Sequence, residues 1–544
     1  MRKEMGQESS DKAVEIGKIS ASGSIYLFAG RVASTVIAAI GTLILGLLII
    51  ESDYGLYYVA LIPSATLLLF QDWGVGPAIT RQCAQFRASK NEGNLRKTII
   101  AGLSFETGTA LLLTVISILI ANFIASTVFE QPNSAFLMVI ASISILSASI
   151  FTAIQSIFVG FDKMKLIALV SILQAIVQSI SAPVLVFLGY GALGAIIGFI
   201  LTSVIGCLIS IILFYVLIFK KIPYVKISKS DLSKTLRPLL HYGIPLALGG
   251  IISGLLIQFN SFLMGSFVKD LTLIGNYKIS TNFLILIAFF TVPINTVLFP
   301  AFSKLDPKKE IELVKTVFAS SIKYSALLLV PATMILVVLS TPLIGALYGN
   351  KWAFAPQFLA LGVLTNLLSC LGFLTVMNFA SGLGDTKIVL KLTIVQLAIG
   401  VPLALILIPW AGINGMIIGM LISGIPGLFI YLYLAWKKYG VKIDYGSSAK
   451  IFLSSLLSAI VVYVFLTVFP LSDWIQLGIG FLFFLVIYVT FVSLFGALKQ
   501  NDINNLRAML HGLGIISKIL EIPLTLIEIL IKKKSSMINF RRKK

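Results

Sequence analysis

Stretches of twenty or more mostly apolar residues recur along this chain from residue 24 to residue 498. About 20 such residues in a helix span the hydrocarbon of a bilayer. Fourteen spans are legible, at 24–50, 54–80, 98–126, 135–159, 166–188, 191–219, 239–267, 274–301, 324–347, 354–380, 388–409, 412–436, 451–470 and 475–498. Composition agrees: 58% of residues are hydrophobic and 12% charged, where a soluble domain carries about a quarter charged. The expected fold is an all-α polytopic membrane protein of about 14 transmembrane helices. The 544 residues reflect added helices, not added soluble domains.

Charge sets the expected orientation, because Lys and Arg gather in cytoplasmic loops. With the N-terminus inside, and Lys391 at the inner edge of the eleventh span counted with its loop, all but four of the 42 basic residues fall in the tails and the inner loops. Lys269 and Lys351 lie in outer loops, and Arg31 and Lys278 lie within helices. The opening "MRKEMGQESSDKAVEIGKIS" lacks the apolar core of a signal peptide. A plasma-membrane location with both termini cytoplasmic is therefore expected. The net charge of +20 then reflects orientation and attraction to anionic membrane lipids. It is spread over short loops, which argues against nucleic acid as a partner. "KKK" (532–534) and "INFRRKK" (538–544) read as membrane-surface contacts, and 502–531 reads as an amphipathic segment on the inner leaflet.

Several chemistries are disfavoured. Cys83, Cys207, Cys370, His241 and His511 are too few and too scattered for a disulfide framework or a metal site. No G-x-x-x-x-G-K-[ST] loop is present to bind ATP, and no D-x-D pair or long outer loop is present to build an active site. No cofactor, metal or enzymatic activity is expected.

The chain contains an internal repeat. "GALGAIIGFILTSVIG" (191–206) returns as "GINGMIIGMLISGIPG" (412–427), with six of sixteen positions identical at a constant offset of 221. Upstream, "VGFDKMK" (159–165) matches "SGLGDTK" (381–387), and "YGLYYVA" (54–60) matches "IGNYKIS" (274–280). Two six-helix lobes follow from this, each with an even number of spans and so oriented in parallel. The expected organisation is an N-terminal tail (1–20), an N-lobe (21–220), a linker (221–238), a C-lobe (239–437), a helix pair (451–498) and a basic amphipathic tail (499–544). A central cavity between lobes that rock to alternate sides is the usual use of such a repeat. Gly191, Gly194 and Gly198 share one helix face and read as packing positions inside a lobe.

The two-lobe plan, the extra helix pair, "VLFPAFSKL" (297–305) and "DYGLYYVALIPSATLLLFQDWGVGPAITRQCAQF" (53–86) resemble the polysaccharide flippase branch of the multidrug/oligosaccharidyl-lipid/polysaccharide exporter superfamily. The resemblance covers nearly the whole chain. It implies a flippase for a polyprenyl-(di)phosphate-linked oligosaccharide used in surface glycan synthesis, working by alternating access, with a glycan polymerase or transferase as a possible partner. A cation-coupled multidrug exporter of the same superfamily and a peptidoglycan-precursor flippase are the alternatives.

Such a flippase needs a polar, cationic path for the head group. Ionisable groups at membrane depth are the first candidates. Arg31 would bind the carrier phosphate, or else pair with Asp72 at similar depth on the next helix. Lys278, with Asn282 one turn on, would make a second cationic contact, or else snorkel to the surface. Gln258 and Asn260 are further polar candidates, two apart and so on different faces of their helix. Glu106, with Asp72, would carry a coupling ion or line the cavity. Gln174 and Gln178 share a face suited to helix–helix hydrogen bonds. Pro293 and Pro300 would interrupt the eighth span as a hinge or a static kink.

Overall fold

The computed structural model describes residues 2–498, 500–510, 521 and 525–529. The basic clusters at 532–534 and 538–544 lie outside the described residues. Among those described there are helices and turns but no strand. Among the described residues ten helices are long and apolar enough to cross a membrane, eleven if the bent pair 355–382 is taken as one span.

The chain divides into two compact units, Met1–Lys278 and Ile279–Lys544. The first contains α1 (Arg2–Leu48), α2 (Glu51–Leu68), α3 (Val75–Ala88), α4 (Glu92–Phe123), α5 (Ser134–Gly160), α6 (Met164–Leu185), α7 (Gly191–Leu217) and α8 (Lys229–Phe267), and it ends inside α9 (Leu271–Asn282). Helix α5 is central: it packs on α2, α3, α4 and α7. Helix α1 lies mainly along α6, and α8 lies across α2, α3 and α4. Helix α8 begins well before the apolar run because Ser228 and Asp231 form a capping box that satisfies its first amides.

The second unit contains α10 (Ile285–Ser303), α11 (Ile311–Tyr348), α12 (Ala355–Val363), α13 (Phe373–Gly382), α14 (Thr386–Tyr439), α15 (Tyr445–Val468), α16 (Asp473–Phe495) and α17 (Gln500–Leu510). Helix α11 is its axis, buried against α10, α12, α13, α15 and α16. One cluster, with Phe302, Phe318, Phe379 and Tyr431, joins α10, α11, α13 and α14. Another, with Val330, Val462, Phe484 and Val492, joins α11 to the pair α15–α16 and also takes in Ile503 and Ile527.

The repeat is written in the backbone. Gly191 (φ 48°, ψ −130°) and Gly412 (φ 57°, ψ −131°) adopt the same left-handed conformation at the sequence offset of 221. Each sits where the chain folds back. Beyond the first, Gly194 and Gly198 pack on Leu185 and Ala182 of α6. Beyond the second, Gly415 and Gly419 pack on Leu407 within α14. The long helical segments 164–221 and 387–439 are therefore hairpins, not single crossings. The turns 158–163 and 380–385 also match. The Lys163 amide donates to the Phe158 carbonyl and the Asp385 amide to the Ala380 carbonyl, both at 2.8 Å. Positive φ falls at Asp162 in one turn and Gly384 in the other. Side-chain-bearing residues rarely take the Gly412 conformation, so Gly412→Ala is expected to cost about 1–3 kcal/mol. The check is the melting temperature of the purified protein in lipid nanodiscs; an unchanged value would mean the turn relaxes freely.

Three expected spans are broken. The second unwinds at residues 69–74 between α2 and α3. The tenth passes through a 3-10 stretch, Leu364–Leu371, and bends by 58° at Gly372. The eighth breaks at Phe283–Leu284, ahead of both prolines. Helix α10 runs uninterrupted through Pro293 and Pro300. The tight turn comes earlier, where the Phe283, Leu284 and Leu286 amides each bond back three residues.

Candidate functional site

The unwound segment 69–74 carries the polar centre of the first unit. Leaving the helix frees backbone groups there, and side chains from α4 and α5 gather around them. The Gln71 side chain donates to Thr152 Oγ1 at 3.1 Å, and its carbonyl accepts from the Ser149 hydroxyl. Asp72 Oδ1 accepts the Gly76 amide at 3.2 Å, across the first turn of α3. Glu106 projects from α4 and is 1% exposed. Its neighbouring charge is the Asp72 carboxyl, within hydrogen-bonding reach. Neither Glu106 oxygen receives a hydrogen bond from an N–H or O–H of the described residues.

Among the described residues no ion pair joins Asp72 to Arg31; its partners are the Gly76 amide and Glu106. Arg31 is exposed on α1. On that helix Gly23, Gly30 and Gly41 are pressed against Met164, Ala168 and Ser179 of α6.

A second polar group lies where α9 meets α2 and α8. The Lys278 ammonium stands 5.3 Å from the centre of the Tyr58 ring. The Tyr58 hydroxyl shares a 3.4 Å hydrogen bond with Ser261 of α8. Tyr277 packs edge-on to Tyr58. The Tyr58 ring thus supports the lysine by a cation–π contact, a partner that lies at its repeat-matched position. Asn282 is one turn further along α9. On α8, Asn260 is buried and donates to the Leu256 carbonyl of its own helix, and Gln258 is half-buried. Within the first unit the candidates form separate groups: Asp72 and Glu106 meet, while Lys278 belongs with Tyr58 and Ser261. Gln174 bonds across to the Thr202 carbonyl of α7.

The sequence reading passed over three features. Gln71 was overlooked beside its charged neighbour. In the second unit Asn378 donates to Asn295 at 2.7 Å, an amide pair between α13 and α10. Lys323, counted as a loop cation, pairs with Asp502 at 2.6 Å, and both are mostly buried.

Comparison with known proteins gives a consistent picture. A Haloferax volcanii protein, "probable low-salt glycan biosynthesis flippase Agl15", is 23% identical over 233 residues, 43% of this chain and 49% of that protein. The match thus spans about half the length of that relative. Stage V sporulation protein B of Bacillus subtilis is 22% identical over 62% of this chain and 69% of that protein. Among solved structures, the lipid II flippase MurJ in an inward closed conformation superposes with a TM-score of 0.69 at 18% identity, over 87% of this chain and 98% of that one. An inward-facing MATE family multidrug transporter superposes at 0.55 with 16% identity, over 75% of this chain and 94% of that one. These likenesses establish a shared multi-pass transporter fold. Residues 44–356 match the family described as polysaccharide biosynthesis protein, more than half of the chain, and the protein belongs to that family.

Proposed function

We propose that the protein carries the polar head of a polyprenyl-(di)phosphate-linked oligosaccharide across the plasma membrane by alternating access. Family membership carries this reading, together with the glycan flippase name of one relative. The chemistry of the chain supports it. The sugar-phosphate head cannot cross hydrocarbon alone, and a cation at membrane depth offsets the phosphate charge. Arg31 is exposed on α1 with no ion pair to a described carboxylate. Its guanidinium suits a phosphate better than an ammonium does. Lys278 supplies a second contact, with Asn282, Gln258 and Asn260 as polar lining. Both termini are cytoplasmic, the N-lobe and C-lobe follow the repeat, and no bond of the substrate is made or broken.

The test is reconstitution in liposomes with a fluorescent polyprenyl-diphosphate oligosaccharide, followed between leaflets. Wild type is expected to translocate it, and Arg31→Ala to be slower by about tenfold, the loss of roughly 1.4 kcal/mol of phosphate interaction. Lys278→Ala should weaken transport less, since Tyr58 offers the lysine a competing partner. Gradient-driven efflux of organic cations with no glycan-lipid movement would overturn the reading in favour of multidrug export.

A further inference from the structure

The carboxyls of Asp72 and Glu106 pose a problem of charge. Glu106 is 1% exposed, and no described donor reaches either of its oxygens. The group within hydrogen-bonding reach is another carboxyl. Two carboxylates cannot hydrogen-bond to each other, since both only accept. A carboxylic acid and a carboxylate can. An ionised Glu106 here would be a buried charge facing a like charge, with nothing to solvate it.

Nearby cations do not relieve it. Helix α5 carries no charged residue. On α3, Arg81 lies over the Tyr242 ring and Arg87 pairs with Asp162. On α4, Arg96 is spent on the Ile222 and Pro223 carbonyls, and Lys97 pairs with Asp231 of α8. On α8, Lys229, Lys234 and Arg237 lie in the first turns, and His241 is exposed. The acidic residues of α2, Glu51 and Asp53, are at its far end, and Glu92 is exposed at the start of α4. A metal ion fits poorly. The hydroxyls of Ser149 and Thr152 are engaged with Gln71, and among the described residues no third His, Cys, Asp or Glu joins the pair. Calcium and magnesium take six or more oxygens.

We propose that Asp72 and Glu106 form one proton-binding site, a single proton held between the two carboxyls. The pair ties the unwound segment 69–74 to α4. Binding a proton from water takes the pair from two negative charges to one, and release drives the carboxyls apart. Movement of segment 69–74 relative to α4 is therefore linked to proton uptake and loss. As the coupling step of transport, this rests on the flippase reading; as a binding site it does not.

The experiment is infrared difference spectroscopy on the protein in nanodiscs, without glycan lipid, across a pH series. Wild type is expected to show a protonated-carboxyl C=O band at neutral pH. Glu106→Gln and Asp72→Asn should each remove it, because one proton needs both partners, and His241→Gln should leave it. Melting curves establish that the two near-isosteric variants fold. Absence of the band in wild type, its survival in either carboxyl variant, or its displacement by sodium at constant pH would overturn the proposal. The band with no glycan-lipid translocation would instead sink the flippase reading and leave the proton site standing.

Discussion

Asp502→Ala is expected to destabilise the second unit by about 3 kcal/mol. The Asp502 carboxylate reaches the Lys323 ammonium of α11 at 2.6 Å and also accepts from the Tyr324 hydroxyl at 3.4 Å. The side chains of the ion pair are 10% and 16% exposed. Removing one partner of such a pair strands the other charge away from water, and that desolvation dominates the cost. The loss should spread beyond the pair. Ile503, fully buried beside Asp502, anchors α17 to the cluster shared by α11, α15 and α16. Asn505 bonds to Tyr324, and Arg507 bonds to both Glu521 and Glu528 at 2.6 Å. Segment 500–510 is thus docked on the helices of the second unit. Two readouts check this: a lower melting temperature and faster protease cleavage near Arg507. Lys323→Met combined with Asp502→Leu should recover most of the stability, since the pair costs desolvation that an apolar contact does not. If the double variant is as unstable as the single one, the charges are not the cause.

The long-range pattern was legible because lipid imposes it. Apolar length and basic loops report where helices run, and matching glycines report the repeat, since Gly191 and Gly412 must both take a conformation closed to other residues. What hydropathy cannot report is a local break. Residues 69–74 lie inside an apolar run, and only Gln71, Asp72 and Gly74 hinted that the helix would open there. At Phe283–Leu284 no residue type marks the turn, while Pro293 and Pro300, which look disruptive, sit in a continuous helix. Contacts between spans were less legible still. Asp72 and Glu106 are both conspicuous, but which charge faces which depends on helix rotation, so Arg31 remained an equal candidate. Lys323 finds its partner 179 residues away, at a distance that no periodicity encodes.

Gly55→Val and Gly275→Val should each destabilise the first unit, by about 3 kcal/mol, the upper end of overpacking costs. These positions correspond in the repeat, as do Glu51 and Leu271, four residues before them. In the structure a side chain on Gly55 would strike the Leu271 carbonyl, and one on Gly275 would strike the Glu51 carbonyl. The contact is reciprocal, as at a two-fold interface where residue i meets j and j meets i. The obstructing atoms are backbone, which cannot rotate aside, so relief requires α2 and α9 to separate. Separation would strip Tyr58 of Tyr277 and Lys278 together. Gly108→Val is the control, because a side chain there meets nothing within 4 Å and pays only helix propensity. Comparable losses at Gly55 and Gly275, against a small one at Gly108, would place the local repeat axis at this crossing. A large loss at one glycine alone would mean that the two helices slide past each other and that the reciprocity has no structural consequence.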